Sequence, residues 1–394
     1  MRRMVDGRHL SLVALVLGLR MMGCAAGSEK ASEHDDSDSG IPSESLVTDG
    51  SSPESASGDD GGSSSERCSE DGWCRVDMPN DKVALFGIWG SSATDVWAVG
   101  SNGAVFHWNG TGWTSQRVLN DAGQPKPIYG IWGSGPHDVW AFGVDEVLHS
   151  DGWNDTETVW SNIGVPGPSM FESGSPRAIW GSSSTDVWML VGPLNSFAVG
   201  LLNKCWHSDG WAGAATELAP ALDYYIAPYA GMNFNGMWGT GPNDVWIVGE
   251  NGRILHTDGY WDKAAFWTQP NSNTRSHLTG IWGAASDDVW AVGENGTIRH
   301  WTYDAGGELD WIISDSKSTT NLRAVWGSSA TDIWAVGDDN TILHGDGSSW
   351  TRSQVPTIPS SGPFYGVWGS GPNDVWVVGQ RALLHRSGAS GGVE

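Results

Sequence analysis

Seven copies of one short phrase, 26 tryptophans in 394 residues and a composition rich in turn residues, with 55 glycines, point to an all-β chain. The predicted architecture is a seven-bladed β-propeller of four-stranded blades, its ring closed by an N-terminal strand and preceded by a disordered tether. The phrase is clearest in its first copy, where Gly87-Ile88-Trp89-Gly90 is followed by Asp95-Val96-Trp97-Ala98-Val99-Gly100. Asn102-Gly103, a short run ending at His107, and Trp113 complete it. The Trp-Gly pair returns at Trp89, Trp132, Trp180, Trp238, Trp282, Trp326 and Trp368, at intervals of 43, 48, 58, 44, 44 and 42 residues. A period of roughly 40 to 50 residues containing four short apolar runs is the signature of a propeller blade.

Within each copy, strand a holds the Trp-Gly pair. Strand b is the Asp-x-Trp run, apolar at consecutive positions as expected where neighbouring blades cover both faces. Strand c ends at a recurring His, and strand d is expected to open with a third Trp. Asn102-Gly103, Asn251-Gly252 and Asn295-Gly296 read as two-residue turns between b and c, and Asp151-Gly152, Asp209-Gly210 and Asp258-Gly259 as turns between c and d. The seventh copy stops after His385 with no Trp to open strand d, whereas Asp71-Gly72-Trp73-Cys74-Arg75-Val76 precedes the first copy and has the form of a c to d junction. This segment is expected to pair with the last blade and remove the open edge of a linear array. Three Trp per blade then account for 21 of the 26 as packing residues.

Residues 1–23 read as an export signal, with Arg2, Arg3 and Arg8 before an apolar stretch, Leu10 to Leu19, that is too short to span a bilayer. Gly23 before Cys24 resembles the bacterial lipobox, which implies diacylation of Cys24, with plain secretion or a retained anchor as alternatives. The resemblance also implies the outer membrane, because Ala25 stands where an inner-membrane retention signal has Asp. Residues 24–67 form an acidic linker of Ser, Gly, Asp and Glu that cannot offset its ordering entropy, leaving residues 68–394 as the propeller. Such a linker would hold the folded part on the order of 35 Å from an anchor. Cys68 and Cys74 are placed to form a disulfide in an oxidising envelope, and Cys205 reads as a small buried hydrophobe.

A net charge of −25 argues against a nucleic-acid partner, which needs a concentrated basic surface. There is no CxxC pair and no HExxH, so neither a metal nor a cofactor is indicated, and the spacing of the acidic turns fits no EF-hand loop. The chain resembles bacterial envelope lipoproteins with tryptophan-rich propeller repeats over residues 71–388, and is loosely similar to the Asp-box propellers of sialidases and photosystem assembly factors. The Asp-box is matched only in shortened form, as at Asp346-Gly347-Ser348-Ser349-Trp350.

Two sets of residues could carry chemistry. Seven Asp precede the strand-b Trp (Asp95, Asp138, Asp186, Asp244, Asp288, Asp332, Asp374) and seven His close strand c (His107, His149, His207, His256, His300, His344, His385). A two-residue turn at Asn102-Gly103 would set Ala98 opposite His107 and Asp95 on the other face; the same count sets Ile247 opposite His256 and Ala291 opposite His300. On that register the Asp is a cap of the a to b turn and the His a spacer between strands. The second set differs from copy to copy, three residues before the strand-a Trp: Phe86, Tyr129, Arg177, Asn235, Thr279, Arg323 and Tyr365. Ring closure would bring Tyr365, Phe86 and Tyr129 into an aromatic arc at the mouth of the central channel, with Arg177 and Arg323 farther round. Insertions on the same face, at 193–199 and at 212–234 with Tyr224, Tyr225 and Tyr229, add a candidate partner surface.

These features describe a displayed, monomeric binding or scaffolding module for a glycan or an envelope protein, touching the membrane through its lipid alone. A sialidase-like glycoside hydrolase and an envelope assembly factor are the alternatives. The hydrolase would need three converging arginines with a tyrosine and carboxylates, and the aligned positions supply two arginines.

Overall fold

The structure is a computed structural model and describes residues 67–388 except 121, 155, 165–173, 194–203, 212, 214–217, 223–232, 262–263, 266 and 359–361. The described residues form a seven-bladed β-propeller of antiparallel sheets. Blade one consists of strands Leu85–Ser92, Asp95–Gly100, Ala104–Trp108 and Trp113–Arg117 in the order a-b-c-d. Blades two, three, five and six repeat that order, with strands a at Ile128–Gly135, Gly174–Ser183, Leu278–Ala285 and Leu322–Ser329. Blade seven has Phe364–Gly371, Asp374–Gly379 and Ala382–Ser387, and its fourth strand is Trp73–Arg75. Trp73 pairs with Arg386, Cys74 with His385 and Arg75 with Leu384, so the ring is closed by the N-terminal strand as predicted. Cys68 and Cys74 are joined by a disulfide at the start of this strand.

Strand d departs from the sequence reading in four blades, and in blade five it opens at Leu309, two residues before Trp311. In blade two it is the pair Ser161–Asn162, in blade three it is Leu218–Leu222, and Trp153 and Trp211 precede these strands rather than opening them. In blade four the described residues form a three-stranded sheet, Phe234–Gly241, Asp244–Gly249 and Ile254–Thr257, with a single bridge from His256 to Thr268 where a fourth strand would stand. The tryptophans keep their packing role even where the strand moves. Trp153 stacks on His107 of blade one at 4.7 Å, and Trp211 stacks on His149 of blade two at 4.3 Å.

The core is divided into seven clusters, one at each interface between successive blades. Strand b is buried on both faces, which is why its residues are apolar in succession. The tryptophans of strand d meet the strand-b tryptophan of the preceding blade edge to face: Trp311 on Trp246 at 5.6 Å, Trp350 on Trp290 at 5.5 Å, Trp73 on Trp334 at 5.3 Å and Trp113 on Trp376 at 5.2 Å. Cys205 is buried among apolar residues, and its thiol is pushed up by that burial.

The strand-a tryptophans make a second ring. Each lays its indole on the glycine that follows the strand-a Trp of the next blade: Trp89 on Gly133, Trp132 on Gly181, and so on round to Trp368 on Gly90. A Cβ at any of these seven glycines would lie 2.5 to 2.7 Å from the indole, closer than side-chain atoms approach. The constraint is steric rather than conformational, so the Trp-Gly pair is one unit in contact but two in sequence: each Trp serves the next blade's Gly. Gly133→Ala is therefore expected to cost about 1–3 kcal/mol by overpacking. Gly135→Ala, where a Cβ would meet nothing within 4 Å, should change stability by less than about 0.5 kcal/mol. Urea denaturation of the two variants checks the contrast.

Candidate functional site

Two bulges in every strand a generate the two sets of candidate residues. The first falls between Leu85 and Gly87 in blade one and at the equivalent place in the other six, and its extra residue is Phe86, Tyr129, Arg177, Asn235, Thr279, Arg323 or Tyr365. All seven variable positions are thus residues that no partner on strand b opposes. A bulge bends the strand and re-aims the side chain it carries.

Ring closure assembles the predicted arc. The ring of Phe86 lies 5.3 Å from that of Tyr129, tilted by 32°, and 5.3 Å from that of Tyr365, at 74°. Arg323 joins this arc directly, its guanidinium over the Tyr365 ring at 5.3 Å while its Nε donates to Asp338 Oδ1 at 2.5 Å. Asn321 Nδ2 donates to the other oxygen of Asp338 at 3.0 Å. Asp338 and Asn321 were not singled out in the sequence, although Asp338 directly follows the strand-b Gly337 in the b to c turn. Tyr129 is 43% exposed, the Arg323 side chain 40%, and Arg177 is also exposed.

On the other side of the ring the same position is used differently. Asn235 Nδ2 donates to the carbonyl of Leu278 at 2.9 Å, and the Thr279 hydroxyl donates to the carbonyl of Leu322 at 2.6 Å. Both bonds tie one blade to the next. The bulge positions are therefore used unequally: aromatic and cationic in blades six, seven, one and two, and stitched by polar side chains to the next blade in blades four and five. Tyr224, Tyr225 and Tyr229, and likewise Cys24, lie outside the described residues.

The second bulge carries Ser91, Ser134, Ser182, Thr240, Ser328 or Ser370, with Ala284 in blade five. Each hydroxyl donates to Oδ2 of the strand-b Asp at 2.5–2.7 Å. Oδ1 of the same Asp accepts from His Nε2 at 2.6–2.8 Å and from the strand-b indole N–H at 2.9–3.2 Å in all seven blades. The expectation that Asp and His face opposite sides is overturned. The b to c connection in blade one is a three-residue turn, Ser101–Gly103, with Asn102 at φ 57 and Gly103 at φ 66. One extra turn residue shifts the pairing by one, so that His107 opposes Trp97, His256 opposes Trp246 and His300 opposes Trp290. Asp and His are thereby brought to one side of the sheet.

This network is structural. It recurs in every blade, and its Trp members are sealed: Trp97, Trp140 and Trp188 are wholly buried. The Asp-box-like turn is structural as well, because Asp346 accepts hydrogen bonds from the backbone and hydroxyls of Ser348 and Ser349, which hold its carboxyl below the usual range. Asn109 closes the corresponding turn of blade one in the same way.

Burial pushes the carboxyls of Asp95, Asp138, Asp186, Asp244, Asp332 and Asp374 up. The hydrogen bonds from His, from Ser or Thr and from the indole together outweigh it and leave each below its ordinary value. A carboxyl depressed in the folded state stabilises the fold above its unfolded pKa of about 3.9, and that contribution is lost as pH falls toward the folded value. The thermal midpoint is expected to hold down to about pH 4 and then drop. Asp332→Asn combined with Asp374→Asn should lower stability by about 1–3 kcal/mol per site at neutral pH and flatten the acid slope. An unchanged slope would exclude these carboxylates as its source.

No protein-family model and no curated protein matches the sequence. Among solved structures, YCF48 from Cyanidioschyzon merolae is similar over 80% of this chain and 99% of its own, with a TM-score of 0.61 and 16% identity. YCF48 bound to D1 peptide is similar over 82% of this chain and 97% of its own, with a TM-score of 0.62 and 16% identity. A catalytically inactive virginiamycin B lyase from Staphylococcus aureus with quinupristin matches 80% of this chain and 98% of its own, with a TM-score of 0.60 and 15% identity. At these identities the likeness establishes the propeller fold and nothing finer.

Proposed function

We propose that this chain is a binding or scaffolding propeller that seats a segment of another protein across the mouth of its channel. The observation that carries the reading is the contiguous arc of Arg323, Tyr365, Phe86 and Tyr129, contributed by four blades and re-aimed to the mouth by their bulges. Ring planes turned by 32° and 74° from Phe86 make a corrugated surface, with notches between rings that suit the side chains of a polypeptide. A pyranose would instead want one flat aromatic face. The YCF48 structure bound to D1 peptide supports a peptide ligand for a propeller of this kind. The seven-fold Asp–His network offers no single reactive centre, and Arg323 is already held by Asp338, which weighs against the hydrolase reading.

The test is binding of the chain to parallel arrays of envelope-protein peptides and of glycans, compared with Tyr129→Ala combined with Tyr365→Ala. A peptide signal weakened tenfold or more in the variant, with its thermal midpoint retained, is the expected result. A glycan signal lost in the same variant would replace the protein partner by a sugar, and a signal indifferent to the variant would remove the arc from the function.

The module is further proposed to sit in the cell envelope, tethered through a lipid on Cys24 by the acidic segment that precedes Cys68, with the outer membrane as its address. Fractionation of cells making the chain or its Cys24→Ser variant tests this. Membrane association that is lost in the variant is expected, and equal association of both would exclude the anchor.

A further inference from the structure

Blade five breaks the repeat at the outer rim of the propeller. Its strands c and d, Thr297–Tyr303 and Leu309–Asp315, form a hairpin of two seven-residue strands, whereas strand d elsewhere has two to five residues or a single bridge among the described residues. Trp301 opposes Trp311 as Trp108 opposes Trp113 in blade one, so the extra length, residues 302–310, projects beyond the tryptophan pair at which the blade-one hairpin closes with four residues. Tyr303 and Leu309 face each other at its end and are 57% and 38% exposed, and Ile312 and Ile313 on the outer strand are 36% and 66% exposed. These are four of the seven large exposed hydrophobic residues of the described chain, gathered on one hairpin. Scattered exposed apolar residues are ordinary; a cluster on a protruding edge strand is not.

The backbone adds a second feature. Asp304 N–H donates to Glu308 O, so the hydrogen-bonded pairs of this hairpin include Asp310 and Ile312, and the N–H and C=O of Leu309, Trp311 and Ile313 point outward. Trp311 is covered: its carbonyl accepts from Asn273 Nδ2 at 2.9 Å and its N–H donates to Asp310 Oδ1 at 2.8 Å. Asn273 is held in turn by Arg299, whose NH2 nitrogen donates to the Asn273 carbonyl at 3.0 Å. The middle of the edge is thus protected against continuous strand pairing, while Ile313, its most exposed apolar side chain, is left open beside it.

Charge identifies what would cover it. Between residues 304 and 317 stand Asp304, Glu308, Asp310 and Asp315 against the single cation Lys317. A second copy of this chain would bring like charges together, on a protein that already carries a net −25.

We propose that the blade-five hairpin is a docking edge, separate from the channel mouth, for an extended segment of a partner protein that alternates basic and apolar residues. The apolar side chains cover Tyr303, Leu309 and Ile313, and the basic ones meet the acidic residues around them. Because Trp311 is blocked, main-chain pairing is broken between Leu309 and Ile313, and recognition rests on side chains.

The test is fluorescence anisotropy of the full chain with three labelled seven-residue peptides: alternating lysine and valine, alternating lysine and serine, and alternating glutamate and valine. The expected order is lysine-valine at least tenfold tighter than lysine-serine, with no binding of glutamate-valine and weakening in salt. Leu309→Ser combined with Ile313→Ser should weaken the lysine-valine peptide at least fivefold with an unchanged circular dichroism spectrum, and Tyr129→Ala with Tyr365→Ala should leave it unaffected. Equal binding of the two lysine peptides would reduce the effect to net charge, and binding indifferent to the Leu309 and Ile313 substitutions, or none at all, would overturn the proposal. A concentration-dependent dimer abolished by the same substitutions would assign the edge to a second copy instead.

Discussion

The fold depends on seven indoles lying on seven glycines. Blades of a propeller converge toward the axis, where strands a are closest and there is least room between them. The small residue two positions before each strand-a Trp answers the same crowding: a Cβ at Gly87 would stand 3.0 Å from Gly130 Cα of the next blade. Large indole over absent side chain fills the space on one side of that contact without a void, and repeating it seven times closes the circle. Trp368 on Gly90 is the same contact as Trp89 on Gly133, so the ring has no distinct seam at its inner radius. The seam lies at the outer radius, where Trp73 of the closing strand packs on Trp334 and Arg386 lies over the same indole.

Between these radii the Asp–His–Trp network resolves a conflict that the tryptophans create. An indole N–H buried in a blade interface needs an acceptor, and a carboxylate brought in to accept it needs further donors. His Nε2 and a bulge hydroxyl provide them, and the carboxylate becomes more acidic instead of less despite its burial. Blade five manages with Ala284 in place of the hydroxyl and keeps both bonds to Oδ1 of Asp288. The network is thus tolerant at the hydroxyl and uniform at the indole and imidazole, which marks the last two as its structural minimum.

The same device, a bulge in strand a, serves uniformity at one end and variation at the other. The lower bulge directs a hydroxyl inward to Asp. The upper one takes a residue out of register with strand b and frees it from the repeat, so that it can vary from blade to blade without disturbing the core. Variation at the mouth and uniformity at the Asp are consequences of where the two bulges fall.

Much of this protein can be read from its residues in order. Seven Trp-Gly phrases at near-equal intervals require seven equivalent units, and an orphan Asp-Gly-Trp before the first unit with a missing Trp after the last requires closure by the N-terminal strand, because local pattern decides the number of units and their strands a, b and c. The variable position before each Trp, and the neighbourhood of Tyr365, Phe86 and Tyr129, follow from that count. Register does not. The Asn-Gly pairs look like two-residue turns, and the one additional residue, Ser101 in blade one, moves every side chain of strand c to the opposite face relative to strand b. Only pairing across the sheet decides that Asp95 meets His107, only the bulges decide that Phe86 has no partner on strand b, and only packing between blades decides that Asn235 is spent on a neighbour while Tyr129 stays exposed. Each is a contact between residues distant in the chain, made by backbone geometry that the identity of the residues at that place does not prescribe.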